Sequence, residues 1–293
     1  MNRAEWLKLR KSCIGASDVA AVLRIPGAHR GPLAVYTDKV TEEISDYDNK
    51  AMRVGRIIEG AIANEYEIET GRPVDNLGAT VIQKHSDYPF IGSTLDRVTA
   101  ESFGDPMVPL ELKSVARHDC TPDQWEMEPP LAYQAQLQIQ MFCTGATWGS
   151  LAGMFMGYKL AYKDIEFNPN FIDAALPILE AFWKRVENRE PPPVENGNDL
   201  NAIKQIWKKD KRQFVSLPYS SDEIVRKWEK VKYDIKAAET NANFYEAQLR
   251  ELMKDSTDGQ LPDGSVLTLK TTKRGGFTVE PTEFRVLRHK KGI

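Results

Sequence analysis

Cysteine is scarce in this chain of 293 residues, which contains only Cys13, Cys120 and Cys143. No two of them form a Cys-x-x-Cys pair, and their number is odd. These properties argue against a disulfide framework and against a zinc site built from cysteine. We therefore expect a protein of a reducing compartment.

Long apolar runs are also missing from the chain. No stretch approaches the roughly 20 residues that a transmembrane helix needs. The N-terminal segment MNRAEWLKLRKS is polar and charged, unlike a secretory signal peptide. We expect a soluble protein of the cytoplasm that does not associate with a membrane.

An excess of positive charge is missing as well, because 39 Lys and Arg residues face 42 Asp and Glu residues and the formal net charge is −3. This balance counts mildly against simple electrostatic binding of nucleic acid, although local patches can still bind phosphates. Two basic clusters are present. They contain Lys204, Lys208, Lys209, Lys211, Arg212, and then Lys270, Lys273, Arg274, Arg285, Arg288, Lys290 and Lys291. Contact with a phosphate backbone and a solvated surface are both open interpretations of these clusters.

The order of the predicted elements indicates a mixed α/β fold. Two short helices occupy the first 35 residues, with Ser17 or Asp18 as the N-cap of the second helix. Helices that alternate with strands build a sheet with helices on its faces. Apolar spacing and turn residues predict helices at 51–70, 130–143 and 169–188, and strands near 79–84, 90–99, 107–115, 148–157 and 160–167.

Three consecutive prolines at 191–193 mark a boundary, so we predict one domain over residues 1–200 and an appendage over 201–293. The appendage begins with a short basic helix near 199–209. Ser220 and Glu223 then fit a capping box that opens a helix of about 33 residues.

The long helix carries a heptad seam, because apolar residues recur at alternating spacings of four and three. The seam contains Ile224, Trp228, Val231, Ile235, Ala238, Ala242, Tyr245, Leu249 and Leu252. Such a seam packs within its own chain or against a partner helix. Its aromatic residues suit globular packing, so we expect it to pack on β-hairpins predicted around 263–264 and 275–276.

Three residues near two predicted strands carry potential chemistry. Asp96 ends the segment GSTLD, and Glu111 and Lys113 lie in VPLELKSVA. Because side chains alternate along a strand, Glu111 and Lys113 point to one face while Leu110 and Leu112 face the core. An acid and a lysine on an otherwise apolar strand cost stability unless they have a function. Carboxylates suit Mg²⁺, and a lysine can orient an attacking water.

Two helices supply further polar candidates. Glu59 has small residues four positions away on either side, so its helix can approach another element closely while it presents one carboxylate. In YQAQLQIQMF, Gln136 and Gln140 share one helix face, and Gln134 and Gln138 share another. Only one of these pairs can face the strand site.

Each signal is weak alone, since a buried Glu is usually a paired structural acid and a glutamine-rich helix face is usually solvated. In the order helix Glu, strand Asp, strand Glu-x-Lys and helix Gln, they form the PD-(D/E)XK nuclease pattern, with Leu95 in place of its proline. The chain resembles in particular the lambda exonuclease and YqaJ-like viral recombinase family. Four stretches within about residues 1–200 carry the resemblance, namely WLKLRKSCIGASD, VGRIIE, GSTLDRV with LELKS, and YQAQLQIQMF.

The resemblance implies a restriction-endonuclease-like core, with a mixed central sheet flanked by helices, and roles for individual residues. Asp96, Glu111 and the Leu112 carbonyl would ligate Mg²⁺, for which Mn²⁺ could substitute. Glu59 would serve a second ion, and Lys113 would hold the nucleophilic water. The residues that correspond to the family's pocket for a terminal 5′-phosphate are Arg10, Ser17, Thr94 and Gln136, the last of which also joins the catalytic set.

The resemblance also implies an activity, which is 5′-to-3′ digestion of one strand of linear duplex DNA to leave 3′ overhangs for phage-type recombination in a bacterial cytoplasm. Members of the family commonly form ring trimers and act beside a phage single-strand annealing protein, which the appendage would dock in one hypothesis. An endonuclease or resolvase on the same core and an inactive DNA-binding scaffold are the alternatives. A 5′-phosphate pocket favours an enzyme that starts at ends, and the intact acidic residues argue against an inactive one.

Overall fold

The computed structural model describes residues 3–41, 50–77, 81–115, 120–273, 275–276 and 283–289. The chain divides into two compact units, residues 1–207 and 208–293. This division places the helix Leu200–Ile206 in the first unit rather than in the appendage. The physical reason is that Ala202 of this helix is buried in the first unit's core.

The first unit alternates helices with strands within its described residues. Its helices are α1 (Arg3–Arg10), α2 (Ala16–Val22), α3 (Pro32–Val40), α4 (Lys50–Thr70), α5 (Pro122–Met127), α6 (Leu131–Thr144), α7 (Pro169–Asn188) and α8 (Leu200–Ile206). Its strands are β1 (Ile14–Gly15), β2 (Val74–Asp75), β3 (Gln83–Lys84), β4 (Ile91–Ser93), β5 (Arg97–Thr99), β6 (Val108–Val115), β7 (Trp148–Phe155) and β8 (Lys159–Glu166). The long predicted elements agree with these bounds, whereas α3 and α5 were not predicted.

Five strands form the central sheet in the order β2-β5-β6-β7-β8. Strands β6 and β7 run parallel, and the other neighbouring pairs of this sheet are antiparallel. The parallel pair requires a crossover connection, which α5 and α6 supply. The predicted fold class, a mixed sheet flanked by helices, is confirmed.

Different helices cover the two faces of the central sheet. On one face, Ile62 of α4 packs with Leu110 and Leu112 of β6. On the other face, Leu137 of α6 packs with Leu151 of β7. Because side chains alternate along β6, Glu111 projects from the face that α6 covers.

Two glycines of β7 allow α5 and α6 to approach the sheet closely. A Cβ at Gly149 would lie 2.9 Å from Leu137 Cδ1, and one at Gly153 would lie 3.0 Å from ring atoms of Trp125. Both distances are shorter than ordinary van der Waals contacts. A larger residue at either position would therefore push these helices away from the face that carries Glu111.

The strand predicted over 90–99 is two strands in the structure. Strand β4 pairs with β1 and β3, whereas β5 pairs with β2 and β6. The chain changes sheets over 94–96, and Asp96 therefore lies in a connection between strands rather than on a strand.

The start of α2 also differs from the prediction. Gly15 is the N-cap residue, and Asp18 occupies the third helical position. The Asp18 carboxylate accepts a hydrogen bond from the Gly15 N–H at 3.2 Å. The prediction of Ser17 or Asp18 as the N-cap was wrong because the capping carboxylate reaches back from inside the helix.

The second unit consists of one long helix and a hairpin within its described residues. Helix α9 spans Ser220–Met253, and strands β9 (Asp258–Gln260) and β10 (Val266–Thr268) pair around the turn at Gly264. The predicted capping box is absent, because Ser220 is already helical and Tyr219 makes no side-chain cap. Most residues around the second predicted hairpin, at 275–276, lie outside the described residues.

Helix α9 contains no buried residue along its 34 positions. The expectation that its seam packs on the hairpins was therefore wrong. The hairpin contacts the helix end, where Gly259 lies near Met253. No helix among the described residues is both long enough and apolar enough to cross a membrane.

Candidate active site

Glu111 of β6 is the centre of a buried polar cluster. Its side chain is 1% exposed. Its Oε1 atom forms an ion pair with the Lys113 ammonium and accepts a hydrogen bond from Gln136 Nε2 at 2.6 Å. Its Oε2 atom accepts from Gln140 Nε2 at 2.5 Å. These partners hold the Glu111 carboxylate in one orientation inside the protein.

The glutamine pair that faces the site is Gln136 and Gln140. The Gln136 amide bridges the ion pair, since its Oε1 atom also accepts from Lys113 Nζ at 3.3 Å. On the other helix face, Gln138 donates to the Glu166 carbonyl and accepts from the Asn168 N–H. Helix α6 thus uses one face for the site and another for anchoring the following connection.

Asp96 reaches the same cluster from the connection between β4 and β5. Its Oδ2 atom accepts a hydrogen bond from the Leu112 N–H at 3.0 Å. Burial and the nearby Glu111 raise the pKa of Asp96 well above its usual range, although Lys113 and the Leu112 N–H oppose them. Two carboxylates lie close to a single cation, so one of their two negative charges is left without a counter-ion.

Lys113 supplies that resident cation. Burial lowers the pKa of Lys113, but Glu111 and Asp96 outweigh burial and raise it. The ammonium also lies 5.1 Å from the centroid of the Tyr133 ring. Lys113 is therefore held in its charged form beside both acids, between the sheet and α6.

The donors at this site suit one divalent cation. Asp96 and Glu111 provide carboxylate oxygens, the ligand type that Mg²⁺ prefers, and their mutual repulsion is what such a cation relieves. The buried Gln140 Oε1 has no hydrogen-bond partner among the described residues and is an acceptor that a bound water can satisfy. Within that part of the chain, no three His, Cys, Asp or Glu side chains converge to hold a metal by themselves.

Glu59, the third predicted acid, is engaged by an arginine. Arg97 Nη1 lies 2.5 Å from Glu59 Oε1 and also donates to the Asp96 carbonyl. Glu59 is close enough to Asp96 to raise the pKa of that carboxyl. A second ion at Glu59 therefore requires the Arg97 guanidinium to move away.

A second cluster joins α1, α2 and the connection that carries Asp96. Arg10 Nη2 donates to Ser17 Oγ at 3.2 Å, which brings together two residues of the predicted phosphate pocket. The Arg10 guanidinium lies 4.8 Å from the centroid of the Trp6 ring, and Trp6 Nε1 donates to Thr94 Oγ1 at 3.4 Å. Trp6 thus links Arg10 with Thr94.

A buried ion pair lies next to this second cluster and contacts its backbone. Lys39 Nζ lies 2.8 Å from Asp18 Oδ2, and the two side chains are 0% and 1% exposed. Lys39 also donates to the Arg10 carbonyl at 3.0 Å, and Arg30 forms an ion pair with the other Asp18 oxygen. Burial alone would raise the pKa of Asp18, but Lys39, Arg30 and Arg10 outweigh it and hold this pKa well below its usual range.

The structure thus forms two clusters from the predicted residues. Asp96, Glu111, Lys113 and Gln136 meet between β6 and α6, while Arg10 and Ser17 meet at the junction of α1 and α2. Both hydrogen bonds of the Gln136 side chain go to the first cluster. Residues that contact these clusters without having been predicted are Trp6, Asp18, Arg30, Lys39 and Arg97.

The mixed sheet of the first unit, flanked by helices, is that of the PD-(D/E)XK-like fold. Two solved structures of the alkaline exonuclease LHK-Exo from Laribacter hongkongensis share it. The structure in complex with dAMP is 23% identical with a TM-score of 0.52, and the other is 21% identical with a TM-score of 0.51. Each alignment covers 64% of this chain and 93% of LHK-Exo.

The amino-acid sequence shows a more specific similarity than the fold does. Residues 5–147, which are 143 of the 293 residues, match the model of the YqaJ-like viral recombinase domain. The protein YqaJ of Bacillus subtilis strain 168 is 26% identical over 266 residues, which cover 88% of this chain and 81% of YqaJ. Because the first unit ends at residue 207, this similarity extends into the second unit.

Proposed function

We propose that this protein is a Mg²⁺-dependent exonuclease that degrades one strand of linear duplex DNA in the 5′-to-3′ direction. The observation that carries the proposal is the buried convergence of Asp96, Glu111 and Lys113 on one face of the central sheet. The match to the YqaJ-like viral recombinase domain supports a nuclease of phage-type recombination. The described donor set fits one Mg²⁺, or Mn²⁺ in its place, at Asp96, Glu111 and the Leu112 carbonyl.

The residues of the site divide the work at a phosphodiester. A divalent cation, when bound, supplies positive charge and lowers the pKa of its water. Lys113 holds the attacking water and offsets charge that develops on the phosphate. Gln136 and Gln140 keep the Glu111 carboxylate fixed, so the site needs little rearrangement during the reaction.

Glu59 takes a different place in this proposal. Its carboxylate serves a second ion only when Arg97 withdraws from it. With Arg97 in place, the guanidinium supplies positive charge at the position where a second cation is expected. A cation held by Asp96 and Glu111 would then share with the Arg97 guanidinium the supply of positive charge to the phosphate.

The start of digestion at a 5′ end is assigned to the second cluster. Arg10 has a planar guanidinium that can grip a terminal phosphate through two hydrogen bonds, and Ser17 adds a hydroxyl. Trp6 fixes the Arg10 plane and connects it to Thr94. The structure of LHK-Exo with dAMP, a mononucleotide, supports release of single nucleotides by this fold.

The proposal includes the setting of the reaction. We propose that the protein forms ring trimers around DNA and acts in the bacterial cytoplasm. Its partner there would be a single-strand annealing protein. The basic residues of the second unit would contact the phosphate backbone without reading sequence. An endonuclease on the same core is the second candidate, and the Arg10–Ser17 pair favours the exonuclease.

The experiment that tests the proposal compares four DNA substrates. Linear duplexes with 5′-phosphate or 5′-hydroxyl ends, nicked circles and closed circles are incubated with the protein in Mg²⁺ or in EDTA. We expect mononucleotides from the 5′-phosphorylated duplex in Mg²⁺, with closed circles intact. Cutting of closed circles would establish an endonuclease instead, and no cutting with any divalent ion would leave a DNA-binding protein.

A further inference from the structure

The apolar seam of α9 is exposed to solvent over most of its length, with Trp228 half-buried. Ile224, Val231 and Ile235 are 66%, 55% and 53% exposed, and Tyr245 and Leu252 are 62% and 81% exposed. Nine seam positions over 29 residues amount to four heptads. A single helix gains nothing from such a seam, because its apolar side chains stay in water until a second helix covers them.

We propose that α9 pairs with α9 of a second copy of this chain, and that the two helices run antiparallel. This pairing does not depend on the proposed nuclease function. It commits to a second copy because the charges beside the seam complement themselves in one orientation. In heptad notation, Trp228, Ile235, Ala242 and Leu249 occupy the a positions, and Ile224, Val231, Ala238, Tyr245 and Leu252 occupy the d positions.

A parallel pair would place like charges together. In that orientation each g residue faces the e residue five positions further along the second copy. Lys227 would then face Lys232, and Asp234 would face Glu239. Both contacts occur twice by symmetry, so a parallel pair contains four repulsive contacts.

An antiparallel pair removes these contacts. The e residues then face e residues of the second copy, so Lys232 meets Glu246 twice by symmetry. The g residues meet as Asp234 with Gln248 and as Asn241 with Asn241, pairs without like charges. One like-charge pair is left, between the two copies of Glu239 at the symmetry axis. The balance of contacts therefore favours the antiparallel orientation.

The sizes of the seam residues agree with this orientation. Antiparallel layers pair an a residue with a d residue of the second copy. Trp228 then lies opposite Leu252, and Ile235 lies opposite Tyr245. The central layers contain Ala238 and Ala242, whose small side chains allow the helices to approach closely where they cross the axis. Parallel pairing would instead stack the two Trp228 side chains on each other.

The first test uses disulfide trapping in the full-length chain. We expect the double variant Lys232→Cys/Glu246→Cys to form a disulfide-linked dimer on mild oxidation, whereas each single variant and the wild type do not. The two positions are about 21 Å apart along one helix, so they cannot link within one chain. A double variant at Lys236 and Glu251, on the outer side of the helix, is the matched control.

Two results would overturn the proposal. A linked dimer from the double variant Lys227→Cys/Lys232→Cys, without one from the first variant, would establish a parallel pair. Absence of linkage above the wild-type and outer-face controls would show that α9 does not pair with itself.

The second test measures the mass of the assembly by light scattering. Because α9 has no buried residue, substitutions in it should leave folding intact. We expect Ile235→Lys to halve the mass of the wild-type assembly and Tyr233→Lys, an equally drastic change on the outer face, to leave it unchanged. An unchanged mass for Ile235→Lys would contradict the proposal, whatever association the first unit makes by itself.

Discussion

The two units of this protein differ in charge and in how their side chains are used. Residues 1–207 contain 21 Lys and Arg against 29 Asp and Glu, a net charge of −8, whereas residues 208–293 contain 18 against 13, a net charge of +5. The first unit buries a core and two polar clusters, whereas the helix of the second buries nothing. The overall charge of −3 conceals this asymmetry.

The comparison separates two ways of using charge. In the first unit, ionised groups such as Asp18, Lys39 and Glu111 are buried, and each is matched by partners in direct contact. Such groups act over short distances and are costly to unpair. In the second unit, ionised side chains are exposed, where single contacts are weak and act on polyanions collectively. Substitutions should therefore have large, specific effects in the first unit and small, additive effects in the second.

The largest effect is expected from Lys113→Ala in the first cluster. Cleavage should fall by about a thousandfold, within the range that a positioned proton-transfer group contributes. DNA binding in EDTA should persist, because the second unit and Arg10 are untouched. The matched control is Lys163→Ala, an exposed lysine on strand β8 of the same sheet. Equal cleavage by both variants would remove Lys113 from the mechanism.

Next in size is the effect of unpairing a buried lysine. Lys39→Met leaves Asp18 buried without one of its two cationic partners and should lower the free energy of unfolding by about 3–5 kcal/mol. Lys236→Met, on the exposed surface of α9, should change it by less than about 0.5 kcal/mol. Urea unfolding followed by tryptophan fluorescence measures both. Similar losses of unfolding free energy for the two variants would show that charged side chains contribute to stability in the same way in both units.

Metal binding should stabilise the first unit through Asp96. Wild-type protein should gain about 2.7 kcal/mol of stability when Mg²⁺ is present at 100 times its dissociation constant. Asp96→Asn should lose this gain. In EDTA at neutral pH the variant should equal or exceed the wild type in stability, since a buried carboxylate with a raised pKa is removed. Thermal unfolding with Mg²⁺ and with EDTA tests this, and a full Mg²⁺ response in the variant would contradict the assigned ligand.

Acid should weaken the first unit through Asp18. The pKa of Asp18 is depressed in the folded state, so its contribution is present above the unfolded pKa of about 3.9 and is lost as pH falls below it. Asp18→Asn should therefore flatten the decline of stability below about pH 4. The control is Asp199→Asn, another buried acid of this unit. The assignment fails if the decline in acid is as steep in Asp18→Asn as in the wild type.

The smallest effects are expected in the second unit. Replacing Lys209, Lys211 and Arg212 by Ala should weaken DNA binding modestly and reduce its salt dependence, by about 0.9 in log–log slope for each lost phosphate contact. The rate of cleavage at saturating DNA should stay unchanged. Filter-binding titrations at several salt concentrations measure the slope, and an unchanged slope would assign these residues to a solvated surface.

Much of the first unit could be predicted because its signals are local. Strand alternation placed Glu111 and Lys113 on one face, and a glycine with φ of 73° ends α6 at the predicted Gly145. Helical spacing narrowed the glutamines to two pairs, but it could not choose between them. That choice depends on which face of α6 the sheet covers, and Gln136 with Gln140 face Glu111.

What could not be predicted depends on contacts between distant elements. Lys39 lies 21 residues from Asp18 in sequence, and Arg97 lies 38 from Glu59, so no local pattern pairs them. Asp96 was predicted to lie on a strand because the apolar residues on either side of it fit one continuous strand. They give no sign that the chain passes from one sheet to the other there. In the second unit, the heptad spacing predicted the helix correctly, but spacing alone does not identify the surface that covers the seam.

The most direct test of the proposed chemistry follows digestion from both ends of one DNA strand. A linear duplex carries one label at a phosphorylated 5′ end and a different label at the 3′ end of the same strand, and digestion is started with Mg²⁺. We expect early release of the 5′ label as a mononucleotide, while the 3′ label stays in long fragments. The reason is that the Arg10–Ser17 pair would hold the terminal 5′-phosphate while the acidic cluster cleaves the strand next to it. Early release of the 3′ label, or internal cleavage into two fragments that each retain one label, would contradict this expectation.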